Sequence, residues 1–206
     1  MAPQFRRLAL PLADRLEQAI GEFDCLGDRH SDDPVAQNVN GFLVDGRFRS
    51  GLRHDVSATY LLIDHDALPQ IIGYATLTLD SVRLTNAEKR RMEGIGFSDF
   101  GALRIQMIGV DHRHQGRGHG ITLLQGITGL ARTLSADVSV RFLLADANVR
   151  KVNWYESAGF VPNQAKREID RVDPERSISM RLDLLESLRG DDHDVEPAAI
   201  AETTRG

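Results

Sequence analysis

The chain has 206 residues, enough for one domain with a full hydrophobic core, and 41% of them are hydrophobic. Its 25 basic and 30 acidic residues leave a net charge of −5, which argues against the strongly basic footprint of a general nucleic-acid binder. Its apolar runs are too short for a membrane helix or a signal peptide, and its single cysteine, Cys25, makes no internal disulfide, so a cytoplasmic setting is expected.

In chain order, residues 5–10 form a short apolar piece. Leu12, Leu16, Ile20 and Phe23 then recur at helical spacing and predict a helix over 11–22. Asp32, Asp33 and Pro34 mark the start of a second helix that runs to about Arg49. "SATYLLID" (57–64) and "IIGYATLTL" (71–79) read as a β-hairpin. Residues 80–101 are charged and glycine-containing and read as a long loop-like insertion. "ALRIQMIGVD" (102–111) reads as a strand buried on both faces, 121–137 as a helix, 138–147 as a strand, 148–160 as a short helix ending at Gly159, and 176–184 as a last strand. The order predicts a single α/β domain with a mixed, mostly antiparallel sheet flanked by helices over 1–187. An acidic tail follows over 188–206; its last part, 190–206, carries a net charge of −4 and lacks aromatic residues.

The most informative stretch is "GVDHRHQGRGHGITLL" (109–124), between a strand and a helix. The first turn of a helix has unpaired N–H groups and partial positive charge, so an anion binds there if no Cβ atom blocks it. Gly116, Gly118 and Gly120 remove those atoms, and Arg113, Arg117 and His119 add positive charge. A pyrophosphate is the ligand this combination suits. A Walker loop would end in Gly-Lys-Ser/Thr and a dinucleotide fingerprint would read G-x-G-x-x-G; neither pattern is present.

Gln115-x-x-Gly118-x-Gly120 closely resembles the acetyl-CoA pyrophosphate loop of the GNAT N-acetyltransferases. "FLLADANVRKVNWYESAGF", with Asn148, Tyr155, Gly159 and Phe160, is similar to the second half of that family's pattern at the expected separation. The resemblance covers about 57–184. It implies a sheet with splayed central strands, acetyl-CoA as acyl donor, and a primary amine as acceptor. It also implies that Gln115, Gly116, Arg117, Gly118, His119 and Gly120 line the pyrophosphate. The backbone of Met107, Ile108, Gly109 and Val110 would pair with the pantetheine arm, and Asn148 would contact the cofactor or cap its helix. Tyr155 is the implied catalytic residue, because a phenol can donate a proton to the departing thiolate.

No residue is singled out as a base. His54, His65 and the acids of 80–101 remain open; His112 and His114 are expected on the phosphate side or at the surface, and Asp111, at the end of the strand, is not taken as the base. Cys25 reads as a small buried residue rather than a nucleophile. "FDCLGDRHSDDPVAQNVNGFL" and the 57–84 hairpin are similar to the GNAT toxin branch of toxin–antitoxin pairs. That branch implies the α-amine of an aminoacyl-tRNA as acceptor and an antitoxin as partner. The leading expectation is acetyl transfer to an unassigned amine on a small molecule, peptide or aminoacyl-tRNA. A non-enzymatic acyl-CoA-binding module is the remaining alternative, and a homodimer is a candidate assembly. Arg47, Arg49, Arg53, Lys89, Arg90, Arg91, Arg150, Lys151, Lys166 and Arg167 either build a local phosphate-reading surface or are scattered solvated charges.

Overall fold

The computed structural model describes residues 3–27, 31–64, 70–90, 92, 95–163 and 177–185. The acidic tail, Lys166, Arg167, His30 and His65 lie outside them. Among the described residues seven strands form one sheet: β1 (Gln4–Arg7), β2 (Ala58–Asp64), β3 (Gln70–Arg83), β4 (Asp99–Val110), β5 (Val140–Asn148), β6 (Val161–Pro162) and β7 (Ser177–Asp183). Their spatial order is β1-β2-β3-β4-β5-β7-β6. Only β4 and β5 pair in parallel; the other neighbours are antiparallel. The expected α/β class and mostly antiparallel sheet are therefore present.

The helices are α1 (Asp14–Gly21), α2 (Pro34–Val44), α3 (Phe48–Arg53), α4 (Asn86–Lys89), α5 (His119–Asp137) and α6 (Val152–Ser157). The helix expected from Asp32 to Arg49 is two helices, parted at Asp45 and at Gly46, whose φ is +72°. Asp33 caps α2 by accepting from Val35 and Ala36 N–H groups, with Pro34 in the first turn.

The sheet divides the core. On one face α5 buries Leu124, Ile127 and Ala131 against Ala75, Leu103, Leu143 and Ala145, together with Tyr155 and Phe160. On the other, α1–α3 bury Ile20, Phe23, Leu43 and Phe48 against Leu61, Ile71 and Tyr74. Among the described residues no helix is long and apolar enough to cross a membrane, and no group of three or more His, Cys, Asp or Glu could hold a metal ion.

The stretch 80–101 is not loop throughout: strand takes up both of its ends. Residues 80–83 extend β3 and 99–101 begin β4, so Arg83 pairs with Asp99 and Val82 with Phe100. Val82, Leu84, Phe100 and Ala102 alternate inward and close a third cluster over Phe142 and Leu144. Only the tip between them, with the capping box of Thr85 and Glu88, is a connection.

Candidate functional site

β4 pairs with β5 only from Gly101 to Ile105. Its pairing with β3 continues to Val110, but the register shifts so that Thr76 faces Met107 and Leu77 faces Ile105. Gln106 is the extra residue of a β-bulge. A bulge bends its strand and increases the local twist, and here it lies where β4 leaves β5. Past Ile105 the backbone of 106–110 has lost its partner on the β5 side, while β5 continues to Asn148 against β7. The two strands therefore open into a V with a free peptide edge.

The loop at the end of β4 is anchored by Asp111, which is fully buried. Its carboxylate accepts from the Asp24 N–H at 3.1 Å and the Arg113 N–H at 3.0 Å. The Arg113 guanidinium donates two more bonds, at 2.8 and 2.7 Å. These bonds hold the Asp111 carboxyl below its ordinary range against the opposing effect of burial. Arg113 is thus an internal counter-ion, contrary to the expectation that it adds charge for a phosphate. The Gln115 amide donates to the carbonyls of Cys25 and Val110 at 2.9 and 3.0 Å. His112 N–H donates to the Asp24 carbonyl at 2.7 Å, and its ring packs where a Cβ on Gly27 would stand. The connection between α1 and α2 is in this way stitched to the loop.

What remains open is the tip. Gly116 and Gly118 have φ of +73° and +83°, and a Cβ on either would meet no atom within 4 Å. The positive φ favours glycine, and the bare space leaves the start of α5 approachable. Gly118 is the N-cap of α5 and no side chain caps that end, so its first amides are available to an anion. Arg117 is exposed beside them. Gly120 has another reason to be glycine: its Cβ would stand 3.0 Å from Trp154 Cζ2. Its bareness lets α6 approach α5.

Tyr155 is buried among Trp154, with ring centroids 4.8 Å apart, and Phe160, at 5.2 Å. Ala145 and Ala147 of β5 belong to the same cluster, and Ile108 of β4 packs against it. The cluster that buries the phenol therefore draws on both arms of the V. Burial, and secondarily the charge of Asp146, push its pKa well above the ordinary phenol value. At neutral pH it is a proton or hydrogen-bond donor. Asn148 accepts from the Arg150 N–H at 2.9 Å and so caps the turn leading into α6.

Cys25, His112 and His114 also lie near the loop after β4. Cys25 is buried and its thiol is pushed up to about 12 by burial, so it is not a thiolate nucleophile. His112 and His114 lie beside the loop, but His112 is held against Asp24. His114 lies against His119, ring centroids 6.0 Å apart, with its Nε2 buried and unpartnered among the described residues. Of the basic side chains named above, Arg49 pairs with Glu17 and Arg47 bonds Asn38, whereas Arg150 and Lys151 are exposed beside Asn148.

Residues 26–160 match the family model described as the acetyltransferase (GNAT) family. Among solved structures, a bacterial toxin shares 21% identity over 95% of this chain and 98% of that one, with a TM-score of 0.70. AtaT complexed with acetyl-methionyl-tRNAfMet shares 20% over 91% and 97%, with a TM-score of 0.68. AtaT bound to the C-terminus of the antitoxin AtaR and acetyl-CoA shares 19% over 92% and 99%, with a TM-score of 0.64.

Proposed function

The chain belongs to the GNAT acetyltransferase family, and on that premise we propose that it transfers an acetyl group from acetyl-CoA to the α-amine of an aminoacyl-tRNA. The observation that carries the transfer reading is the V itself. A free β4 edge over 106–110 leads from the bare loop at Gly116 and Gly118 to a protonated phenol at Tyr155. Each part of acetyl-CoA has residues that would hold it. The first amides of α5 and Arg117 bind the pyrophosphate. The peptide edge of Met107, Ile108, Gly109 and Val110 orients the pantetheine arm by strand-like hydrogen bonds. The co-substrate supplies an activated thioester. The neutral amine attacks the thioester carbonyl and forms the C–N bond, and the C–S bond breaks. Tyr155 donates its proton to the departing thiolate sulfur and regains one from the proton the amine nitrogen sheds.

The tRNA acceptor is favoured over a small amine by the structural neighbours, which match nearly the whole of both chains and include an AtaT complex with acetyl-methionyl-tRNA. Exposed Arg150 and Lys151, next to Asn148 at the open end of β5, supply positive charge for phosphates. Induced expression tests the reading. Growth should arrest, N-acetylated aminoacyl-tRNA should accumulate, and Tyr155→Phe should abolish both. Normal growth with unacetylated aminoacyl-tRNA would remove the tRNA acceptor and leave acetyl transfer to another amine.

A further inference from the structure

A polar band crosses the sheet on the face opposite α5. Asp146 is the first residue of β5 beyond its last pair with β4, Ile105 with Ala145. Its neighbours Ala145 and Ala147 turn into the α5-side cluster with Tyr155, so alternation puts the Asp146 carboxylate on the other face. There Arg104 Nη1 donates to it at 2.6 Å. The same guanidinium donates through Nε to Asp80. Two carboxylates share one guanidinium, which leaves one net negative charge. The carboxylates are not equivalent: the Asp80 side chain is 31% exposed and Asp146 is 47% exposed. Asp146 keeps room for a second partner.

We propose that Asp146, held by Arg104 where β4 and β5 part, is the acceptor-binding residue that receives the substrate's ammonium group. The reasoning rests on the transfer reading above, not on which molecule carries the amine. An amine must reach the thioester carbonyl from the mouth of the V. α5 and α6 fill one face of the sheet there, and the opposite face presents Asp146. A carboxylate fixed on one side by a guanidinium offers its remaining lone pairs in a set direction, which suits an N–H donor. A cationic amine would be drawn to the net charge, and a neutral amide would not. The bulge at Gln106 has a second consequence in this account: by parting the strands at Ile105, it opens the approach to the next β5 side chain. The charge of Asp146 also reaches Tyr155 on the far side of the strand, where it helps keep the phenol protonated.

The test uses the full chain with labelled acetyl-CoA and three probes: methionyl-tRNA, a peptide with a free N-terminus, and spermidine. Thermal melting first verifies that Asp146→Asn and Asp146→Glu are folded. For whichever probe the wild type acetylates, Asp146→Asn should raise its KM by about 10- to 100-fold, the value of one charge-assisted hydrogen bond. KM for acetyl-CoA should be unchanged and kcat should move much less. Asp146→Glu should recover part of the loss, because it restores the charge. Binding gives a readout independent of turnover: the wild type should bind the free amine more tightly than the N-acetylated probe, and Asp146→Asn should lose that preference. Unchanged KM and preference in a folded Asp146→Asn protein would overturn the proposal with acetyl transfer intact. Failure of the wild type to acetylate any probe would overturn the transfer reading and this proposal together.

Discussion

Replacing Asp111 by alanine removes the anchor of the phosphate loop without touching the surface offered to the ligand. Asp111 is 0% exposed, and its oxygens accept from two backbone N–H groups and two guanidinium nitrogens. Breaking a buried ion pair costs about 3–5 kcal/mol. The Arg113 side chain is 42% exposed, so water recovers part of what it loses, and the lower end, about 3 kcal/mol, is expected. For a chain of this size that lowers Tm by about 6–12 °C. The Asp24 N–H loses its partner in the same substitution, so the α1–α2 connection also loosens. Because the Asp111 carboxyl is held below its ordinary value of 3.8, its stabilisation is fully present above that pH. It is lost as pH falls through the folded pKa. The variant should therefore show a shallower loss of stability on acidification below about pH 4. Affinity for CoA, measured by calorimetry at neutral pH, should fall by about tenfold as the loop loses its fixed shape. A variant within 1–2 °C of wild type (about 0.5 kcal/mol), with unchanged CoA affinity, would refute the assignment of Asp111 as anchor.

Three further outcomes follow from the same geometry. Gly118→Val places a branched side chain at a φ of +83° in front of the first amides of α5. CoA binding should weaken by more than tenfold in a protein that calorimetry still shows to be folded; equal affinity would remove the loop as the phosphate site. His114 is held below its ordinary value of 6.5, first by burial, with Asp111 opposing and Arg117, His119 and Arg113 reinforcing. The unfolded chain thus binds the proton more readily, so wild-type stability should fall on acidification below about pH 6.5. Melting curves should show a smaller fall for His114→Asn, and parallel curves would contradict the assignment. Cys25 should resist iodoacetamide at pH 8 in the native state and react once the chain is unfolded in urea, because its thiol is buried and pushed up to about 12.

The strand–loop–helix from β4 to α5 was legible because its signals are local. An apolar run, a glycine cluster and a helical repeat follow one another, and Gly116 and Gly118 occupy the conformation that only glycine adopts easily. Tyr155 stands out through the family resemblance that its spacing to Gly159 and Phe160 carries, and its role as proton donor is part of the proposal. The β3–β4 hairpin was not legible, because it depends on pairing between 80–83 and 99–101 across a charged tip. The alternation of Val82 and Leu84 was its only local trace. The bulge at Gln106 left no trace either, since a register shift is a relation between two strands. The same applies to Arg113 and Gln115. Arg113 reads as ligand-facing from its charge and Gln115 from the family resemblance, whereas Arg113 donates to the Asp111 carboxylate and the Glu22 carbonyl and Gln115 to the carbonyls of Cys25 and Val110. Gly120 read as part of the cradle, yet the nearest atom to its missing Cβ belongs to Trp154, 34 positions along the chain.

Transfer itself is the most direct test of the central claim. Purified protein is incubated with acetyl-labelled acetyl-CoA and methionyl-tRNA, and the tRNA product is hydrolysed and separated. The account predicts label on the methionine α-nitrogen, formed with release of free CoA thiol. Tyr155→Phe should lower turnover by on the order of 10²-fold with CoA affinity little changed. Labelled N-acetylmethionine formed equally fast by Tyr155→Phe, or CoA bound tightly with no label reaching any amine, would contradict it.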